Sequence, residues 1–78
     1  MARDWHDRRK TAVRQAFGLE VRKRRRLLTW SQEKLSEIAG LHPTYLGSVE
    51  RGERNIALEN IIALATALGC SPRDLMPP

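Results

Sequence analysis

Residues 31–55, SQEKLSEIAGLHPTYLGSVERGERN, allow few folds. Leu35 and Ile38 set an apolar stripe at i, i+3, which predicts a short helix. Ser31 suits its N-cap, and Glu33 suits its positive end. Gly40 fits the left-handed backbone that closes such a helix. Pro43 is placed to open a second helix, since proline is favoured at the first helical position. On that helix Leu46, Val49 and Glu50 share one face, while Thr44, Gly47, Ser48 and Arg51 share the opposite one. The first face is predicted to pack inward. The second is small and polar, and can approach another surface closely.

The chain has 78 residues, enough for one small domain whose core is marginal alone. Cys70 is the single cysteine, so no intramolecular disulfide forms. No Cys/His pair has metal-ligand spacing, and no metal or other cofactor is expected. Cys70 reads as a small hydrophobe. No segment reads as a signal peptide or membrane span, so the cytoplasm is the expected compartment, with no membrane partner. Charge divides the chain. Residues 1–30 hold ten Lys/Arg against three acids, a balance of +7, and residues 31–78 hold four against six, a balance of −2. A basic front half suits phosphate, although a solvated basic helix face has the same composition.

Outside the central segment the predicted elements are also helices. Residues 1–10 are polar without clear periodicity and read as a frayed arm or an irregular helix start. The folded domain is expected at residues 11–78, with Thr11 as candidate N-cap of a first helix. Val13, Phe17, Val21 and Leu28 follow helical spacing there, and Gly18 is a mild internal cost. Trp30 is the expected core plug between two helices. Residues 51–55 form a turn. Leu58, Ile61, Ile62, Ala65 and Leu68 predict a fourth helix closed by Gly69. Ser71, Pro72 and Asp74 read as a capping box opening a last short helix with Leu75 and Met76. No strand pattern or internal repeat is present. The fold class is all-α, five helices around one small core. Trp5 and His6 carry no readable signal. No nucleophile–base set, paired carboxylates or phosphate-cradling glycine loop is present, so no enzyme is expected.

Two short helices hinged at a glycine, the second with a close-approach face, match a helix-turn-helix, which lays its second helix in the DNA major groove. SQ-x-x-L-x-x-x-x-G followed by ERGERN resembles the Cro/phage-repressor (Xre-type) class of helix-turn-helix regulators. YLGSVERGERN with ALENIIALATALGCSPRDLM most resembles the small controller proteins of restriction–modification systems. The resemblance runs over about residues 17–76.

It implies roles residue by residue. Gln32 holds a DNA phosphate with the helix N-terminus. The positions of Pro43, Thr44 and Ser48 reach base edges. Many controller proteins carry arginine where this chain has Pro43, and proline cannot bind guanine bidentately. His42 either compensates or caps the helix. Tyr45 either bonds a phosphate or packs its ring on the helix flank. Arg54 falls near the DNA backbone or minor groove, and Arg51 follows the recognition helix. Alternatively, either arginine pairs with Glu53. Arg25 and Glu50 match a buried ion pair. Ala57 departs from the usual Ser or Thr cap, leaving the fourth helix to fray or to use Asn55. The C-terminal helices form a two-fold dimer contact, predicting Ile62, Leu75 and Met76 at the interface, with Leu75 or Met76 near its centre.

The reading is a homodimeric, sequence-specific transcription regulator on palindromic duplex DNA, a controller protein or autoregulatory repressor, with no small-molecule ligand. The rivals are an antitoxin-type or free-standing Xre regulator and, from another class, a protein–protein adaptor with the same fold.

Overall fold

Five helices follow in order in the computed structural model, which describes residues 2–78, with side chains from residue 8 onward. They are α1 (Ala2–Leu27), α2 (Gln32–Ala39), α3 (Pro43–Glu50), α4 (Leu58–Leu68) and α5 (Pro72–Leu75). No strand occurs among the described residues. The readings of Trp5 and His6 lie outside the described side chains.

At 1.5 Å per residue the 26 residues of α1 span about 39 Å, so this helix sets the 41 Å long axis. It runs through residues 2–10, expected as a frayed arm or an irregular helix start, and through Thr11, which is therefore not an N-cap. Only the C-terminal part of α1 packs on the core. Phe17 and Val21 are buried, whereas Val13 and Leu28 are exposed. At the end of α1, Thr29 takes a left-handed φ of 60° and its hydroxyl donates to the Leu28 carbonyl. A β-branched residue is strained in that conformation.

The core gathers Phe17 and Val21 from α1, Leu35 from α2, Leu46 and Val49 from α3, Leu64 and Ala65 from α4, and Leu75 from α5. Trp30 packs against it from the α1–α2 junction. Ile38, half of the expected α2 stripe, is 46% exposed.

Gly18 is more than a helix cost. A Cβ there would lie 2.4 Å from the Val49 carbonyl oxygen and 2.6 Å from that of Glu50. Glycine thus lets α1 press backbone to backbone against the end of α3.

Local chemistry defines the remaining ends. The Ser31 hydroxyl accepts from the Lys34 N–H, and Gly40 closes α2 at φ 73°. Ser71 and Asp74 form a complete capping box on α5. Ala57 occupies the N-cap of α4 with no side-chain bond, and Asn55 does not replace it.

Candidate nucleic-acid interface

The outer face of α3 and the start of α2 border an open groove of about 710 Å³. Gln32 and Glu33 line it from α2, and Pro43, Thr44, Gly47 and Arg51 from α3 and its end. Pro43 and Thr44 are exposed. Gly47 forms the floor, where an added Cβ would lie 3.3 Å from Arg51 Nη1 and 3.5 Å from Gln32 Oε1. Thr44 and Pro43 thus stand above a floor with no side chain of its own.

A buried polar network holds this groove in shape. Arg25 donates from Nε to Glu50 Oε2 at 2.7 Å and from Nη2 to Glu50 Oε1 at 2.9 Å. Its Nη1 donates to the Trp30 carbonyl at 2.8 Å. Gln32 Nε2 donates to Glu50 Oε1 at 3.0 Å. Residues from α1 and α2 therefore converge on one carboxylate of α3. The Glu50 hydrogen bond raises the Arg25 guanidinium above its ordinary value, against the lowering effect of burial. Among the described residues no buried side-chain polar atom lacks a partner. Gln32 lies beside the positive end of α2, where an anion is favoured, and its amide keeps a second N–H for a further acceptor.

His42 caps α3: its Nδ1 accepts from the Thr44 N–H at 3.1 Å. That bond leaves Nε2 as the protonated nitrogen of the neutral ring, able to donate outward.

Ser48 departs from its sequence assignment. It is 5% exposed, not on an open outer face. Its hydroxyl donates to the Tyr45 carbonyl at 2.6 Å and accepts from Arg54 Nε at 2.9 Å. Two causes combine: a short side chain turns back on its own helix, and Arg54 folds over it. The Arg54 guanidinium also stands 5.5 Å from the centre of the Tyr45 ring. Of the two alternatives for Tyr45, the structure shows the ring packing. The ring packs under Arg54, and the hydroxyl accepts from Asn60 Nδ2 at 3.1 Å, which leaves its own proton to donate.

The two arginines after α3 behave differently. Arg51 pairs with Glu53 through two bonds of 2.9 and 3.2 Å, on exposed side chains. That hydrogen bond holds the Glu53 carboxyl below the usual range and raises Arg51. Arg54 instead serves Ser48 and Tyr45.

Sequence reasoning passed over Asn60, and it read Gly18 only as a helix cost, not as the point of close approach to α3. Asn60 reads as an ordinary polar residue of an amphipathic helix, and nothing local to it signals a bond to Tyr45.

The expected dimer residues separate. Ile62 is 47% exposed and Met76 42%, with Leu58 on the same face of α4 as Ile62. Leu75 is fully buried, which removes it from the centre of any interface. The short α5 folds back on α4 and α1 and inserts Leu75 into the core. Among the described residues no cluster of three or more His, Cys, Asp or Glu is placed to hold a metal ion. No described helix is long and apolar enough to cross a membrane.

Comparison with known proteins gives a consistent set. A family model described as helix-turn-helix matches residues 21–75. The control protein C.SmaI of Serratia marcescens is 47% identical over 64 residues, covering 82% of this chain and 76% of that protein. The crystal structure of the restriction–modification controller protein C.AhdI from Aeromonas hydrophila superposes with a TM-score of 0.78 at 47% identity, covering 80% of this chain and 94% of that one. The P22 c2 repressor in complex with a synthetic operator superposes with a TM-score of 0.74 at 35% identity, covering 80% of this chain and 94% of that one.

Proposed function

This chain belongs to the helix-turn-helix family, and from that premise we infer that it controls transcription by binding operator DNA with α3 in the major groove. It is a DNA-binding regulator and not an enzyme. The observation that carries the placement of α3 is the groove itself. Pro43 and Thr44 are exposed over the bare floor at Gly47, and Gln32 is pinned at the rim by Glu50. An inserted helix needs this arrangement: side chains free for base edges, and a backbone-binding group locked beside them.

The finer reading is a restriction–modification controller protein, supported by its likeness to C.SmaI and C.AhdI. We place it in the cytoplasm, in keeping with its likeness to the bacterial control protein C.SmaI. Residues 11–78 carry the reading helix and the dimer surface, and the preceding turns of α1 extend that domain. Assembly is as a homodimer through Leu58, Ile62 and Met76, exposed apolar residues of the C-terminal helices. A two-fold pair then presents two α3 helices to half-sites about one helical turn, ~34 Å, apart. The test is a mobility shift with the DNA upstream of the chain's own coding sequence. A discrete complex that survives excess random DNA is the expected result. Equal loss of complex to random and to unlabelled specific competitor overturns sequence-specific binding.

A further inference from the structure

We propose that the hollow between α1 and the α3–α4 turn is a second phosphate site, which grips duplex DNA outside the segment that α3 reads. Arg9, Lys10, Val13, Arg14 and Asn55 line it, and its volume is about 240 Å³. The proposal rests on the DNA-binding reading above. The four lining residues from α1 precede the family match, which begins at residue 21.

Chemistry and position both point to a backbone phosphate. Lys10 and Arg14 bring two cations to the lining and Asn55 an amide, and no carboxylate joins them among the described side chains. Lys10 and Arg14 are four residues apart and so share a face of α1. Like charges at that spacing disfavour a helix, and a bound polyanion removes the penalty. A spherical anion would want a deep, enclosed cradle. This hollow is shallow and open, suited to a backbone passing across it.

The position follows from contacts on either side of α3. A helix in the major groove is bordered by both strands. Gln32 stands at one border, near the start of α3. The turn of residues 51–55 stands at the other end. There α1 touches the turn directly: a Cβ on Gly52 would lie 2.7 Å from Gln15 Cγ. Arg14 is the next residue along α1, and Lys10 lies about 6 Å further, at 1.5 Å per residue. The extended part of α1 therefore leads away from the turn, past the edge of the reading helix, carrying cations along the path of the second strand.

The test uses the full chain and two duplexes. One ends at the operator boundary found by footprinting, and the other continues about ten base pairs further on each side, one turn of duplex. Binding is followed by fluorescence anisotropy across salt concentrations. The Lys10→Ala/Arg14→Ala variant should lower the slope of log affinity against log salt by about 1.8 on the long duplex, at 0.9 per phosphate. On the trimmed duplex it should match the wild type, with base preference unchanged on both. An unchanged slope on the long duplex, with specific binding intact, overturns the site. An equal loss on both duplexes overturns its placement outside the operator. Failure of the wild type to bind either duplex specifically overturns the regulator reading, and this site with it. Thermal melting checks the fold of the variant, and Lys10→Glu alone provides a second probe, expected to weaken binding to the long duplex selectively.

Discussion

Gln32 donates to the same Glu50 oxygen, Oε1, that Arg25 Nη2 binds, at 3.0 Å and 2.9 Å. The residue at the groove's rim is thus tied to the pair that joins α1 to α3. Its amide is oriented before any ligand arrives, which lowers the cost of ordering it on binding.

Gln32→Ala should weaken binding to all DNA sequences by a similar factor, because a phosphate contact carries no sequence information. Thr44→Ala should instead shift preference at one or two base pairs, by about 1–3 kcal/mol where a good contact is lost. Anisotropy against a panel of single-base operator variants separates the two patterns. A sequence-dependent loss for Gln32→Ala would remove it from the backbone.

The Arg25–Glu50 pair should behave as one unit. Removing either partner leaves a buried charge uncompensated, at about 3–5 kcal/mol. Removing both should cost less than the sum of the two single changes. Urea denaturation of the two single variants and the double variant measures this directly, and additive losses would show that the groups act separately.

Glu53 occupies Arg51 in the unbound protein. Glu53→Gln should release that arginine and remove a negative charge near the turn, strengthening DNA binding several-fold at low salt and less at high salt. The sign with pH follows from the depressed Glu53 carboxyl. The pair's contribution is present above the ordinary carboxylate range and is lost as pH falls through the folded-state value. Affinity measured near neutrality therefore reports the closed pair, and wild type and Glu53→Gln should converge only in acid.

Ile62→Glu and Leu75→Glu should fail in different ways. Ile62 is half exposed, so the charge should yield folded monomers with operator affinity reduced more than non-specific affinity. Leu75 is fully buried, so the same change should unfold the chain before assembly becomes measurable. Sedimentation and thermal melting together distinguish the outcomes.

What the sequence showed follows from how local the cause is. The Ser31 cap, the Gly40 terminus and the Ser71–Asp74 box depend on residues a few positions apart, and each was readable. Arg25 and Glu50 came from resemblance, since no periodicity links positions 25 residues apart. Leu75 was misplaced because its burial depends on a four-residue helix folding back across α4 and α1. Ser48 lies on the polar side of α3, but helical position alone does not show that Arg54 closes over it. The first turns of α1 were left open between an arm and a helix start because they extend past the core, so no hydrophobic period marks them.

Hydroxyl-radical footprinting of the full chain on the DNA upstream of its own coding sequence tests the central claim most directly. Two protected segments related by a two-fold axis, centred about one helical turn apart, ~34 Å, are expected. The Thr44→Ala variant should shift the preferred bases within them. Uniform protection along the duplex, or none at concentrations where the chain is dimeric, would contradict a regulator that reads its operator through paired α3 helices.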